Sequence, residues 1–327
     1  MAQSALEELS ELGGHAFPHL IGARELTQAE LTDRREKLAE LAIDNDATIV
    51  LMGSWGRHEL TSGSDDDFMV LVDGPDRESV RPAIEEVRSV LTRPPSAGGP
   101  FGSHVFCDDL VGKIGLQADD NDNLTRRMLF VLESVPATNP DIYARARARV
   151  LDTYLDVTVK PHHVPRFFLN DTIRYWRQVC VDFVGKEREA REKWGLRNAK
   201  LRLSRKLLFA GGLLPVLETA SLGSPDEIRA FLDGQLLDPP SDRIARSFIR
   251  HGAVDAGVRA FSAYDEFVAI LGDPGRRGAL QSVTRDSADS SDDFAHVRKL
   301  AKTFEAGLRS LLFETDLEPL VREVAVF

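Results

Sequence analysis

Apolar and polar positions along this chain follow two different periods, one early and one late. From Gln28 to Ile43, Leu31, Leu38, Leu41 and Ala42 recur at helical intervals. They follow Thr27-Gln28-Ala29-Glu30, which has the spacing of a capping box, so a helix is expected over Gln28 to Ile43. Asp44-Asn45-Asp46 breaks it. Ala47 to Met52 is a short apolar run with β-branched residues, a buried strand that Gly53 ends. A tight turn and a short helix are expected around Trp55 to Leu60. Turn residues Thr61-Ser62-Gly63-Ser64 come next, then a second strand over Asp65 to Val72, stopped by Asp73-Gly74-Pro75. An amphipathic helix over Arg77 to Leu91, a loop over Pro94 to Pro100 and a third strand over Ser103 to Cys107 complete an α/β unit of modest size.

From Asn123 onward the strand period fades. Asn123 to Ser134, Asp141 to Leu155, Phe167 to Lys193 and Arg197 to Leu217 read as helices. Weaker helical patterns cover Pro225 to Leu232, Val254 to Ile270 and Asp292 to Phe313. Arg276 to Asp293 is polar and rich in Ser and Asp, and reads as a mobile loop. No internal repeat is visible. The expected fold class is α/β (α+β): a small mixed sheet with N-terminal helices in residues 1–135, then an all-helical domain in residues 136–327, with a cleft between them.

Composition narrows the class of protein. The 327 residues are 43% hydrophobic and 28% charged, an ordinary globular balance. No apolar run approaches the roughly 20 residues that cross a bilayer, so no membrane partner is expected. The stretch Met1 to Gly14 is acidic and helix-prone, unlike an export signal. Cys107 and Cys180 lack metal-like spacing and suggest a reducing compartment, so a cytoplasmic location is expected. A net charge of −11 argues against a broad basic surface for nucleic acid, although residues 166–206 are locally rich in Arg and Lys.

The chemistry concentrates between Met52 and Val72. Strand side chains alternate, so Asp65 and Asp67 point one way and Asp66 the other. Two carboxylates side by side at the start of a buried strand repel each other unless a divalent cation sits between them. Magnesium favours such oxygen ligands and keeps positions open for phosphate and water. Two such ions, about 3.5–4 Å apart, activate an attacking hydroxyl and stabilise a leaving pyrophosphate. Gly53 and Gly56 let backbone approach a ligand closely. Amides at the following helix N-terminus, with the Ser54 hydroxyl, suit phosphate oxygens. Each half of this pattern is common by itself; the combination between two strands is specific.

These residues resemble the polymerase-β-type nucleotidyltransferase superfamily, whose signature is Gly-Ser, a short helix, then Asp-x-Asp entering a strand: here Gly53-Ser54 and Asp65-x-Asp67. The longer run Gly53-Ser-Trp-Gly-Arg-His-Glu-Leu60 followed by Ser64-Asp65 is similar to the transferase domain of PII-protein uridylyltransferases and their short relatives. Asn123 to Ser134 is more distantly similar, and the resemblance covers about residues 47–135. The phosphohydrolase and ligand-sensing domains of the PII-modifying enzymes have no counterpart here, so modification of PII is not expected. The resemblance implies that Asp65 and Asp67 hold Mg2+ or Mn2+ and that Gly53 and Ser54 bind nucleotide. It also implies a third carboxylate on the third strand, with Asp108 the first candidate and Asp109 the second. On the helix Arg197 to Leu217 it implies Lys200 and Ser204, spaced i and i+4, as ligands of the triphosphate; a lysine reaching solvent or pairing with a carboxylate is the alternative.

Arg202, Arg205 and Lys206 face elsewhere and read as a solvated face. Asn170, Arg174 and Arg177 share one side of their helix, with Trp176 and Phe183 on another, as in a core helix. Trp55 is open to base stacking or to packing, and His162-His163 lacks a carboxylate at metal-binding spacing. The expected reaction moves a nucleoside monophosphate from a triphosphate to a protein or RNA acceptor with release of pyrophosphate. Synthesis of a signalling oligonucleotide and non-catalytic nucleotide binding are the alternatives.

Overall fold

The computed structural model describes residues 3–75, 83–95, 100–156, 159–190 and 193–325, and it is a mostly helical chain around one small mixed sheet. The strands are β1 (Ala47–Met52), β2 (Phe68–Val72), β3 (Ser103–Phe106) and β4 (Ser134–Pro136), in the order β3-β2-β1-β4. β1 runs antiparallel to β2 and β4, whereas β2 and β3 are parallel, with Met69 opposite Ser103 and Val72 opposite Phe106.

Helices α1 (Ala5–Leu12) and α2 (Pro18–Ala39) precede the sheet. α3 (Ala83–Val90) lies between β2 and β3, and α4 (Cys107–Gly112) and α5 (Asn121–Leu132) lie between β3 and β4. Then come α6 (Pro140–Asp156), α7 (Arg166–Ala190), α8 (Trp194–Arg202), α9 (Ser204–Glu218) and α10 (Pro225–Leu237). The chain ends with α11 (Pro240–Arg250), α12 (Val254–Gly272), α13 (Pro274–Ser282), α14 (Asp292–Phe313) and α15 (Glu318–Ala325).

β1 and β2 are buried along their whole length, which is why their sequences are continuous apolar runs without a polar alternation. Ile49, Leu51, Phe68 and Val70 pack in one core with Leu31 and Leu38 of α2 and Val87 of α3. Val50, Met52, Met69 and Leu71 join the other, larger core, which is continuous through the helices. The N-terminal helices are pinned to this helical part. The Leu6 amide donates to Asp242 (2.9 Å), the Leu20 amide donates to Asp265 (2.8 Å), and Arg24 pairs with Asp242 at 2.7 Å.

Several local expectations are corrected. The helix expected from Gln28 begins at Pro18, and Thr27 is not a cap. Thr27 is buried in mid-helix, where its hydroxyl donates to the Ala23 carbonyl and accepts from the Leu60 amide at 3.0 Å, holding the turn that follows β1. That turn contains no helix: residues 53–58 form successive turns, and His58 takes a φ of 55°. β2 begins at Phe68, so the three aspartates lead into it instead of lying within it. The helix expected over Arg197 to Leu217 is broken at Leu203 (φ −117°, ψ −79°) into α8 and α9. Arg276 to Asp293 is not a loop throughout, because α13 occupies its first part, N-capped by the Asp273 carboxylate on the Arg276 amide at 2.8 Å. β4, α11 and α15 were not anticipated. Residues 77–82 of one expected helix, 96–99 of the expected loop, and 191 and 192 lie outside the described residues. No described helix is long and apolar enough to cross a membrane.

Candidate nucleotide and metal site

Gly53 ends β1 in the left-handed region, at φ +66°. The chain then folds back on itself: the Trp55 amide reaches the Met52 carbonyl (3.2 Å), Arg57 reaches Gly53 (3.0 Å) and Glu59 reaches Ser54 (2.9 Å). The Met52 amide donates to the Asp67 carbonyl at 2.8 Å, which fixes Asp67 beside this turn. A Cβ built on Gly53 would stand only 2.8 Å from Oδ2 of Asp67. Glycine therefore serves two purposes here, the positive φ and the approach of a carboxylate to backbone. Gly56, by contrast, abuts the Glu133–Ser134 backbone at the entry to β4, so it serves chain packing and not ligand approach.

The aspartates divide as alternation requires. Asp65 and Asp67 line one cavity with Gly53 and Ser54. Asp66 turns the other way and is buried. It accepts the Thr92 and Arg93 amides at 2.9 and 3.0 Å, and lies 3.8 Å from Arg34. The amide and hydroxyl of Ser54 have no hydrogen-bond partner among the described residues.

The helical side of the cavity is basic. Lys200 near the end of α8 and Ser204 at the start of α9 both line it, although the break at Leu203 separates their helices. Ser204 is buried near Tyr264, whose hydroxyl donates to Glu59 at 2.9 Å. Arg205 is corrected from a solvated position: it lines the cavity and pairs with the fully buried Glu133 at 2.9 Å. Glu133 also pairs with Arg57, which pairs with Glu59 at 3.0 Å. Lys206 and Arg202 do turn away, to Glu305 and Asn198. Arg277, from the segment read as a loop, completes the wall. Its guanidinium lies on Gly63, where a Cβ would stand 2.6 Å from Cζ.

Electrostatically the cavity is unbalanced in both senses. Burial pushes the Asp67 carboxyl up to about 7; Asp65 and Glu133 act in the same direction, while Arg205 and Arg57 oppose. Burial likewise brings the Lys200 ammonium down to about 8, reinforced by Arg277, Arg205 and Arg57. Arg277 is also lowered, by burial first, with Asp65 opposing. Neither Lys200 nor Arg277 has an ion-pair partner among the described residues. The site thus presents a desolvated carboxylate beside desolvated cations. No group of three or more His, Cys, Asp or Glu among the described residues is placed to hold a metal. The protein offers two carboxylates, a donor set that magnesium completes with phosphate oxygens and water.

Asp108 is not part of this set. β2 and β3 are parallel, so residues after Phe106 lie at the Val72 end of the sheet, and Asp67 lies at the other end. Asp108 pairs there with Arg149 at 2.6 Å, and Arg149 pairs with Asp73 at 2.9 Å. Asp109 shares that end, in the first turn of α4. On β3, the residue that shares the Asp67 face nearest the cavity is Ser103, opposite Met69, and it is not acidic.

The remaining candidates are placed plainly. Trp55 is 1% exposed, in the core beside Arg34, so it packs and does not stack on a base. Trp176 stacks on Phe209, and Arg174 pairs with Asp119 at 3.3 Å. His162, His163, Asn170 and Arg177 line a separate cavity between α7 and α15. Beside the candidate site, Phe101, Tyr175, Val179 and Phe183 line a 210 Å³ slot that shares Lys200 and Arg205 with it.

Glu133, Arg205 and Arg277 were missed as site residues. Glu133 closes the helical run that resembles the transferases, which is the one signal that pointed to it; the sequence carried none for Arg277. No family model matches the chain, and no curated protein matches it.

Proposed function

We propose that this cavity binds a nucleoside triphosphate with magnesium or manganese, and that the protein transfers the nucleoside monophosphate to an acceptor, releasing pyrophosphate. One observation carries the reading: Asp67 packs against the α-carbon of Gly53 in a cavity that also holds Asp65 and the cations Lys200 and Arg277, which have no ion-pair partner among the described residues. A carboxylate lacking a cation and cations lacking an anion are both satisfied by a metal triphosphate, whose metal faces the aspartates and whose phosphates face the basic wall.

In this reading Asp65 and Asp67 hold the metal, which when bound polarises the phosphorus centre and lowers the pKa of an attacking hydroxyl. The Ser54 amide and hydroxyl orient phosphate oxygens. Lys200, Arg205 and Arg277 neutralise the charge that grows on the departing pyrophosphate, a role typically contributing about 10²–10³ in rate per well-placed donor. The pair Arg205–Glu133 and the hydrogen bond from Tyr264 to Glu59 fix the wall, so that these charges need not reorganise during reaction. The apolar slot beyond Lys200 and Arg205 is the space for the nucleoside or acceptor. A protein or RNA acceptor is the first choice.

A second reading, nucleotide binding without transfer, is favoured by one observation: β3, Ser103 to Phe106, carries no carboxylate that could take the acceptor proton. One experiment separates the two. The pure protein is incubated with each α-labelled triphosphate, magnesium or manganese, and cell lysate, and label is followed into protein, RNA and small molecules. Transfer that Asp65→Ala/Asp67→Ala abolishes supports the enzyme. Equal label with the double variant removes the catalytic assignment, and tight binding without transfer leaves the second reading.

A further inference from the structure

The cavity holding Asp65 and Asp67 has a volume of 60 Å³. That accommodates a few waters, whereas pockets for drug-sized ligands run to roughly 300–1,000 Å³. A triphosphate therefore extends past it, along the cations that border it. The β1–β2 side is fixed by the buried sheet, and the α8–α9 side by the Arg205–Glu133–Arg57 network. The remaining wall is α13.

α13 is held at both ends. Leu280 is its one buried residue among those described. At that end a Cβ on Gly195 of α8 would stand 2.6 Å from the Leu280 carbonyl oxygen, and the Gly195 amide donates to the Val283 carbonyl at 2.9 Å. At the other end Asp273 alone joins it to Gly272, the last residue of α12, while in α13 an added Cβ would meet only the capping Asp273 at Gly275 and nothing within 4 Å at Gly278. Two further contacts hold this end over the site: the Ser62 hydroxyl on the Gly272 carbonyl at 3.2 Å, and the Arg277 guanidinium on Gly63. Gly63 lies outside the left-handed region, so its backbone does not require glycine. The guanidinium occupies the space that a side chain here would take. Arg277 is thus a cation with no ion-pair partner among the described residues, seated on bare backbone beside Asp65 in the cavity wall.

We propose that Arg277 is the residue that contacts the terminal phosphate of a bound triphosphate. A phosphate oxygen is the charge-assisted partner that the guanidinium, resting on Gly63, now lacks. The proposal rests on the reading that the site takes a nucleoside triphosphate, and it adds that Arg277 distinguishes triphosphate from shorter phosphate chains.

The test uses binding of magnesium tripolyphosphate to the full chain, by calorimetry, with a nucleoside monophosphate as the short-chain control. Arg277→Gln is expected to weaken tripolyphosphate binding about tenfold or more, to leave monophosphate affinity within about twofold, and Arg277→Lys is expected to fall between. Tripolyphosphate is also expected to slow amide exchange across α13 in the parent protein and not in Arg277→Gln. That readout would not move if Arg277 were merely structural. The melting temperature of each ligand-free variant checks folding, and Arg277→Lys carries the test if the glutamine variant does not fold. Equal tripolyphosphate binding by parent and Arg277→Gln overturns the proposal whether or not transfer occurs. Arg277-dependent binding in a protein that transfers no label overturns the catalytic reading alone.

Discussion

Gly53→Ala is the sharpest perturbation of the site, because its two consequences can be calculated separately. The backbone holds φ at +66°, which costs a residue with a Cβ about 1–2 kcal/mol. For a chain of 327 residues the unfolding entropy is on the order of 0.7 kcal/mol per kelvin, so this cost lowers Tm by only about 2 °C. The second consequence falls on chemistry. The new methyl would stand 2.8 Å from Oδ2 of Asp67, about half an ångström or more inside the usual carbon–oxygen contact, so the carboxylate must turn away. Displacement of a reacting group by about 1 Å costs on the order of a hundredfold in rate. A protein that melts almost normally and transfers label about a hundredfold more slowly is therefore expected, by differential scanning calorimetry and the α-labelled triphosphate assay. Gly56→Ala supplies the contrast, since its methyl would strike the Glu133–Ser134 backbone and unsettle the fold first. Gly53→Ala with unchanged transfer would refute the argument that Asp67 acts from beside this turn.

Asp67→Asn is expected to lower metal-dependent transfer at least about a hundredfold while raising the Tm of the ligand-free protein by about 2 °C, since it removes a charge that burial disfavours. Calorimetry and the transfer assay check both signs. Asp108→Ala, which breaks an exposed pair with Arg149, is expected to leave transfer unchanged and stability within about 0.5 kcal/mol by urea unfolding. For His58, burial, with Arg24 and Arg35 adding, brings the imidazole down to about 4 from 6.5. Above pH 6.5 it is neutral in both the folded and unfolded chain. As pH falls from 6.5 to 4 only the unfolded chain takes up the proton, so stability is lost across that window and levels off below it. His58→Asn, a residue that tolerates the φ of 55°, is expected to recover about 2 kcal/mol at pH 4.5 relative to pH 7, measured by urea unfolding at both.

The elements that were legible are those whose burial is written locally. β1 and β2 announce themselves as apolar runs because both of their faces are covered, and α14 matches its expected bounds of Asp292 and Phe313 because its buried residues recur at helical spacing. The elements that were missed are those whose partners lie far away in sequence. α11 buries Asp242 and Arg243, so its polar pattern hid a core helix. Asp242 is satisfied by the Leu6 amide and by Arg24, and Arg243 by the Leu132 carbonyl at 2.8 Å, partners that no window of sequence contains. β4 is three residues long with a proline, and exists because β1 offers it an edge. α13 shows a single buried position, too few to establish a period.

The site divides along the same line. Asp65, Asp67 and Gly53 meet within one strand–turn–strand unit, so alternation and turn chemistry were enough to bring them together. The error over Asp108 came from strand direction: a carboxylate after β3 can join Asp67 only if β3 runs antiparallel to β2, and a parallel pairing sends it to the far end of the sheet. The basic wall was legible only in part, for a related reason. A helix that continued unbroken from Arg197 would have turned Arg205 toward solvent, as its period suggested. The break at Leu203 resets the rotation of α9, and Arg205 comes round to Glu133 and the cavity. Glu133 then joins Arg205 to Arg57 of the Gly53 turn, so the same ion-pair network that seals the helical part against the sheet also fixes the distance between the acidic and basic sides of the cavity. Whatever this cavity binds, its charge arrangement is set by the packing of the two halves of the chain on each other and not by either half alone.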